Sequence, residues 1–170
     1  IENDEIVYTG KNIMLDFTLK DILRDINLFE NEDFEVNYQN NLNVGTATLT
    51  ITGAGNYAGE ITETFTILKK NITSEDVVIN KISNQNYTGL EVEPKITITY
   101  NGKVLGEEDF SVVYDNNINI GNNAKATISG LGNFEGNKEV YFTIVATVVS
   151  ADTFDIILPN ETVVYTGEEI

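Results

Sequence analysis

The sequence predicts an all-β chain: two tandem β-sandwich units in series, followed by the first strand or strands of a third. Three observations carry this prediction. A long motif occurs twice in the same order, a short motif occurs three times, and apolar residues alternate with Thr, Asn and Glu at a period of two.

The long motif first places Phe34, Val36, Tyr38, Gly45, Ile51, Gly53, Gly55, Tyr57 and Gly59 in order, then closes on Phe65 and Ile67. Its second copy places Phe110, Val112, Tyr114, Gly121, Ile128, Gly130, Gly132, Phe134 and Gly136, then Phe142 and Ile144. The offset is 76 residues from Phe34 to Phe110 and 77 from Gly53 to Gly130, so one residue enters the turn after Gly121. The short motif is Tyr-Thr-Gly, at Tyr8, Tyr87 and Tyr165, with offsets of 79 and 78. These anchors set the expected boundaries. The first unit is 1–70 with its first strand missing, the second is 71–146, and 147–170 opens a third.

Each element follows from local pattern. Phe34, Val36 and Tyr38 alternate with polar residues, as do Ala47, Leu49 and Ile51, and then Phe65 and Ile67. The second unit keeps that parity at Phe110, Val112 and Tyr114; at Ala124, Ala126 and Ile128; and at Val140, Phe142 and Ile144. Such alternation marks half-buried antiparallel strands. Turn chemistry separates them at Asn40-Asn41, Asn101-Gly102 and Asn116-Asn117. About seven short strands per unit, with a turn every ~8–12 residues, define a small sandwich of immunoglobulin-like type. The units differ in one place. Where the second has an Asn-Gly hairpin, the first has Leu19, Ile22, Leu23 and Ile26 at helical spacing, which predicts a helical turn over 20–27.

Composition narrows function. The chain has 170 residues, 10 Lys plus Arg against 27 Asp plus Glu, a net charge of −17, and neither His nor Cys. A Ser–His–Asp triad, a Cys–His pair and the usual zinc or haem ligand sets are therefore excluded. The acid excess runs through all three segments and disfavours nucleic acid and anionic membrane surfaces. No apolar run of 18 residues predicts membrane insertion. The glycine loops at Gly53 and Gly130 have G-x-G-x-x-x-G spacing, contain no Lys or Arg, and lead into a strand. They are turns, not phosphate cradles.

No catalytic residue and no cofactor is expected. Two sets of side chains remain as candidates for binding. Glu32 with Asp33, and Glu108 with Asp109, precede equivalent strands and are calcium candidates. Tyr100 and Tyr141 occur in the second unit only and are candidates for stacking on a glycan. Tyr8, Tyr87 and Tyr165 recur in register and are read as holding the fold.

The combined string, from Tyr-Thr-Gly through the Asn-Asn turn to the Gly-x-Gly-Asn-aromatic loop, resembles the bacterial immunoglobulin-like repeats of Gram-positive secreted and cell-wall-attached proteins. The resemblance spans essentially the whole chain and departs from the pattern between Lys20 and Asn27. It implies an extracellular, cell-surface location and a role as spacer or stalk. Its alternatives are an adhesive module for glycan or host protein, or an accessory module of a secreted hydrolase. The expected partners are neighbouring repeats of the same chain. A head-to-tail contact is also expected, in which residues 153–158 of one molecule pair with the open edge of the first unit in another.

Overall fold

The computed structural model describes residues 6–150 and 154–157. Among them the chain is all-β, with no helix. Most of the expected third unit, including Tyr165 and the ends of the 153–158 segment, lies outside the described residues.

In chain order the strands are β1 (Ile6–Val7), β2 (Lys20–Asp21), β3 (Ile26–Asn27), β4 (Phe34–Gln39), β5 (Gly45–Gly53), β6 (Glu60–Leu68), β7 (Lys70–Asn71) and β8 (Val77–Ile79). They continue with β9 (Gln85–Asn86), β10 (Ile98–Tyr100), β11 (Lys103–Val104), β12 (Phe110–Asp115), β13 (Gly121–Gly130), β14 (Phe134–Glu135) and β15 (Asn137–Val145). Two four-stranded sheets share one plan. In the first, β1, β6, β5 and β4 lie side by side; in the second, β9, β15, β13 and β12 do. The long strands pair antiparallel, whereas β1 on β6 and β9 on β15 are parallel. Phe34 sits opposite Gly53 as Phe110 sits opposite Gly130.

The residue inserted after Gly121 becomes a bulge. On β13 the partners step from Gly121 opposite Ile144 to Ala124 opposite Phe142, three residues against two. On β5 the ladder from Gly45 to Thr52 is regular. A bulge absorbs an extra residue without turning the following side chains over. Ala124, Ala126 and Ile128 therefore stay buried like Ala47, Leu49 and Ile51.

Opposite each sheet runs a return segment that is largely not strand: 13–19 in the first unit and 92–98 in the second. Its inward residues alternate, Ile13, Leu15, Phe17 and Leu19 against Val92, Ile96 and Ile98. A segment without a ladder must satisfy its backbone by other means. The second Asn of each Asn-Asn turn does so. Asn117 donates through Nδ2 to the Val92 carbonyl (3.2 Å), and Val92 N–H donates back to the Asn117 carbonyl (2.9 Å). Asn41 and Ile13 make the same reciprocal pair, both at 2.8 Å. The preceding residues Asn40 (φ 56°) and Asn116 (φ 55°) take the left-handed conformation that aims the clamp. Tyr38 and Tyr114 hydroxyls add a second tie, to Leu15 and to the Pro94 carbonyl.

The helical turn expected over 20–27 is not formed. Lys20 and Asp21 pair with Asn27 and Ile26 as a hairpin. The Asp21 carboxylate accepts the Leu23 and Arg24 N–H groups at 3.0 and 3.1 Å and binds the Arg24 guanidinium at 2.6 Å. Asp25 closes the loop at φ 59°. An Asp that accepts these amides could cap a helical start. The pairing of Lys20-Asp21 with Ile26-Asn27 leaves only residues 22–25 between, however, and left-handed Asp25 turns the chain back before a helix can extend. Ile22 and Leu23 are left 85% and 90% exposed, so the apolar spacing has no buried face to serve. The equivalent hairpin joins β10 and β11 through Asn101 and Gly102, both at positive φ, as a two-residue primed turn requires.

Asn117→Ala removes a buried side chain and leaves the Val92 carbonyl short of a donor. It is expected to cost about 1–3 kcal/mol in chemical denaturation. Asn116→Ala is expected to cost less, near the penalty of a left-handed residue, about 1 kcal/mol. Equal losses at the two positions would contradict the clamp.

Candidate functional site: the joint between the units

The densest set of contacts between the two sequence units centres on Tyr8. Its ring belongs to the edge of both cores. β1 carries it there: Ile6 and Val7 pair with the end of β6, and Tyr8 N–H donates to the Leu68 carbonyl at 2.9 Å. The ring then meets Phe134 edge-on, centroids 5.6 Å apart at 79°, and Tyr100 at 6.1 Å. Tyr100 and Phe134 stand edge to face at 5.5 Å and 88°. Three rings in such arrangements add to plain burial. Lys70 lies 5.5 Å above the Tyr100 ring and pairs with Asp76 at 2.7 Å.

Hydrogen bonds fix the orientation. Tyr100 Oη donates to the Tyr8 carbonyl at 3.0 Å, and Asn101 Nδ2 to the Thr9 carbonyl at 2.6 Å. Asn133 reaches the other way: its Oδ1 accepts Val44 N–H at 2.9 Å and its Nδ2 donates to Asn43 Oδ1 at 3.1 Å. The connecting chain is itself a rung, because β7 pairs in parallel with β14. Lys70 N–H donates to the Asn133 carbonyl and Ile72 N–H to the Glu135 carbonyl, at 3.0 and 2.8 Å.

The glycine loop delivers Phe134 and Asn133. Gly130 N–H donates to the Gly136 carbonyl at 2.9 Å, and Leu131 N–H to the Asp109 carbonyl at 2.8 Å. Gly132 sits at φ +55°, with its Cα face against the Glu108 carbonyl, where a Cβ would approach to 2.9 Å. Gly55 repeats this at φ +59° against the Glu32 carbonyl. These are the turns the spacing predicts, and they explain the recurring acids. Asp33 Oδ2 accepts Phe29 N–H at 3.0 Å, and Asp109 Oδ2 accepts Gly106 N–H at 3.1 Å. The Asp33 and Asp109 side chains thus hold the turns under the loops, where Glu32 and Glu108 contribute their backbone carbonyls. Among the described residues, no three acidic side chains converge as metal ligands would.

The two aromatic candidates part company. Tyr100 is 6% exposed and buried in the joint, so it offers no platform to a sugar. The sequence marked it as specific to the second unit, and its partner Tyr8 in the first unit gives the reason. Tyr141 is 57% exposed on the outer face of β15. Its hydroxyl donates to Glu139 Oε2 at 3.0 Å, and Lys125 Nζ binds Glu139 Oε1 at 2.8 Å. Lys125, then Tyr141, hold the Glu139 carboxyl below its usual range. Asn43, Asn133 and Lys70 were not singled out by sequence reasoning. Their only signal is position, in turns that abut the repeat boundary.

Comparison with protein-family models, curated proteins and solved structures returns no match for this chain.

Burial lifts the Tyr8 phenol above its ordinary value, with Asp109 and Tyr100 adding to the lift and a hydrogen bond with Asn133 opposing it. A raised pKa in the fold means the protonated phenol favours folding. Its contribution is complete below the unfolded value of about 10 and disappears as pH rises through the higher folded value. Denaturation followed above neutrality is expected to show this alkaline loss, and Tyr8→Phe to reduce it. Tyr8→Ala is expected to cost about 2–3 kcal/mol at neutral pH.

Proposed function

We propose that the chain is a non-catalytic structural spacer: two immunoglobulin-like sandwiches in tandem, set end to end in a bacterial cell-surface protein to project other domains. One observation carries this reading. The joint is built from backbone rungs, three interlocked rings and a bridging Asn, not from a free linker. Domains that share such contacts resist bending, which is what a projecting element needs; loosely tethered domains move freely by default. The net charge of −17 spread over the units keeps an extended acidic array soluble and self-repelling. The extracellular setting rests on the resemblance of the repeat motifs.

A second reading is an adhesive module for glycan or host protein. Exposed Tyr141, oriented by Glu139, is the observation that favours it.

Small-angle scattering separates a stiff pair from a hinged one. The wild-type chain is expected to give a single narrow distance distribution. Asn133→Ala combined with Tyr8→Ala is expected to broaden it while each unit keeps its β signature in circular dichroism. A broad distribution in the wild type would sink the spacer reading. A panel of glycans and matrix proteins, with and without calcium, checks the second reading: saturable binding lost in Tyr141→Ala would move the function to adhesion.

A further inference from the structure

In the second unit, β8 covers the outer edge of β10: Val77, Val78 and Ile79 lie opposite Tyr100, Thr99 and Ile98. In the first unit the equivalent edge belongs to β2. Leu28 N–H donates to the Leu19 carbonyl as Leu105 N–H does to that of Ile98, so Leu19, Lys20 and Asp21 stand where Ile98, Thr99 and Tyr100 stand. Among the described residues β2 pairs with β3 alone. The alternation of bonded pairs turns the Lys20 N–H and C=O toward the uncovered side. The consequence is visible in the core. Thirteen buried residues form one cluster in the second unit, against separate clusters of four and three in the first. A cleft of about 640 Å³ opens beside Leu19, Leu28 and Ile51. Another, of about 680 Å³, opens beside Leu15, Phe17 and Leu49.

The same chain carries a segment of the right apolar pattern, exposed at residues 154–157. At an offset of 77 residues, inside the 76–79 range of the repeat anchors, Phe154, Asp155 and Ile156 align with Val77, Val78 and Ile79 of β8, whose outer two positions face inward and whose middle position faces outward. Phe154 is 48% exposed, Ile156 87% and Ile157 92%.

We propose that a second copy of this chain fills the slot: residues 154–157 of one molecule add antiparallel to the outer edge of β2 in the next. Phe154 lies opposite Asp21, Asp155 opposite Lys20, and Ile156 opposite Leu19. Phe154 and Ile156 enter the clefts, and Asp155 lies opposite Lys20, an opposite-charge cross-strand pair that Lys20 shares with its ion pair to Asp25. The ends match as well. The surface around Tyr87, equivalent to that around Tyr8, leaves Tyr87, Leu90, Ile118 and Ile120 exposed. It meets the exposed Ile22 and Leu23 of the next copy, which occupy the place of Asn101 and Gly102 in the internal joint. The contact between molecules thus continues the contact within them. It is heterologous, so it extends instead of closing. The proposal is independent of the spacer reading.

Sedimentation of the full chain over a wide concentration range tests it. Mass is expected to rise with concentration beyond a dimer. Ile156→Lys on the donor and Lys20→Pro on the acceptor are each expected to lower the association constant by about tenfold or more. Lys20→Pro removes an outward N–H and spares the hairpin, which circular dichroism verifies. Mixing the two variants leaves one intact donor and one intact acceptor, so dimers that grow no further are expected. A single-chain mass at every concentration would overturn the proposal, as would association that both variants leave unchanged, or a mixture that fails to dimerise.

Discussion

The fold depends on Asn41 and Asn117 holding a backbone that has no sheet of its own. Each unit has one good sheet, and its apolar face needs a lid. The lid is a return segment whose alternating side chains face inward but which is largely without a ladder. Buried amides without partners cost more than the apolar contacts around them return. An Asn side chain placed by a left-handed neighbour supplies a donor where a strand would have been. Asn117 is the one buried polar residue among the described residues, and it is satisfied. With the lid tied there and again at Tyr38 or Tyr114, the Ile and Leu rows close against β5 and β13.

That lid also dictates how one unit meets the next. The chain leaves β6 at Leu68 and is paired again by Lys70. So short a connection leaves little freedom, and the second unit must start against the end of the first. Tyr8 lies beside the exit of β6 because β1 runs parallel to it. Its ring is therefore the nearest apolar surface to the incoming glycine loop. Phe134 and Tyr100 close on it, and Asn133 bridges back to the Asn43–Val44 turn. The joint follows from a parallel edge strand, which both units have, and from the short connection between Leu68 and Lys70.

Much of this was legible in the sequence, for physical reasons. Period-two alternation reports burial directly, so the inward rows of β4, β5 and β6 could be named, and glycine spacing reports turns that tolerate no Cβ. Other features were not legible. The helical spacing of Leu19, Ile22, Leu23 and Ile26 was misleading because the strand pairing on either side leaves only residues 22–25 for a turn and no core for Ile22 and Leu23 to face. Tyr100 looked like a surface residue because its partner lies 92 positions away in the chain. Asn41 and Asn117 were visible as turn residues, but a clamp is a relation between two segments, and one strand's pattern does not contain it.

The two ends of the first unit are not equivalent, and the difference sets the strength of anything that docks there. The upper end offers Tyr8 and receives two rings. At the lower end Asp21 stands in the place of Tyr100, and Tyr57 in the place of Phe134. The Tyr57 hydroxyl donates to Asp21 Oδ2 at 3.4 Å, and Arg24 holds the same carboxylate. Two aromatic partners are thus replaced by a phenol turned to a charge, with Ile22 and Leu23 as the remaining apolar surface. A ring docking on this end would lose the edge-to-face contacts that Tyr8 makes and would meet a carboxylate already held by Arg24 and the hairpin amides. The internal joint is therefore the tight one. A contact at the lower end draws its strength from strand addition and from the apolar loop tip, which makes it the weaker and more reversible of the two.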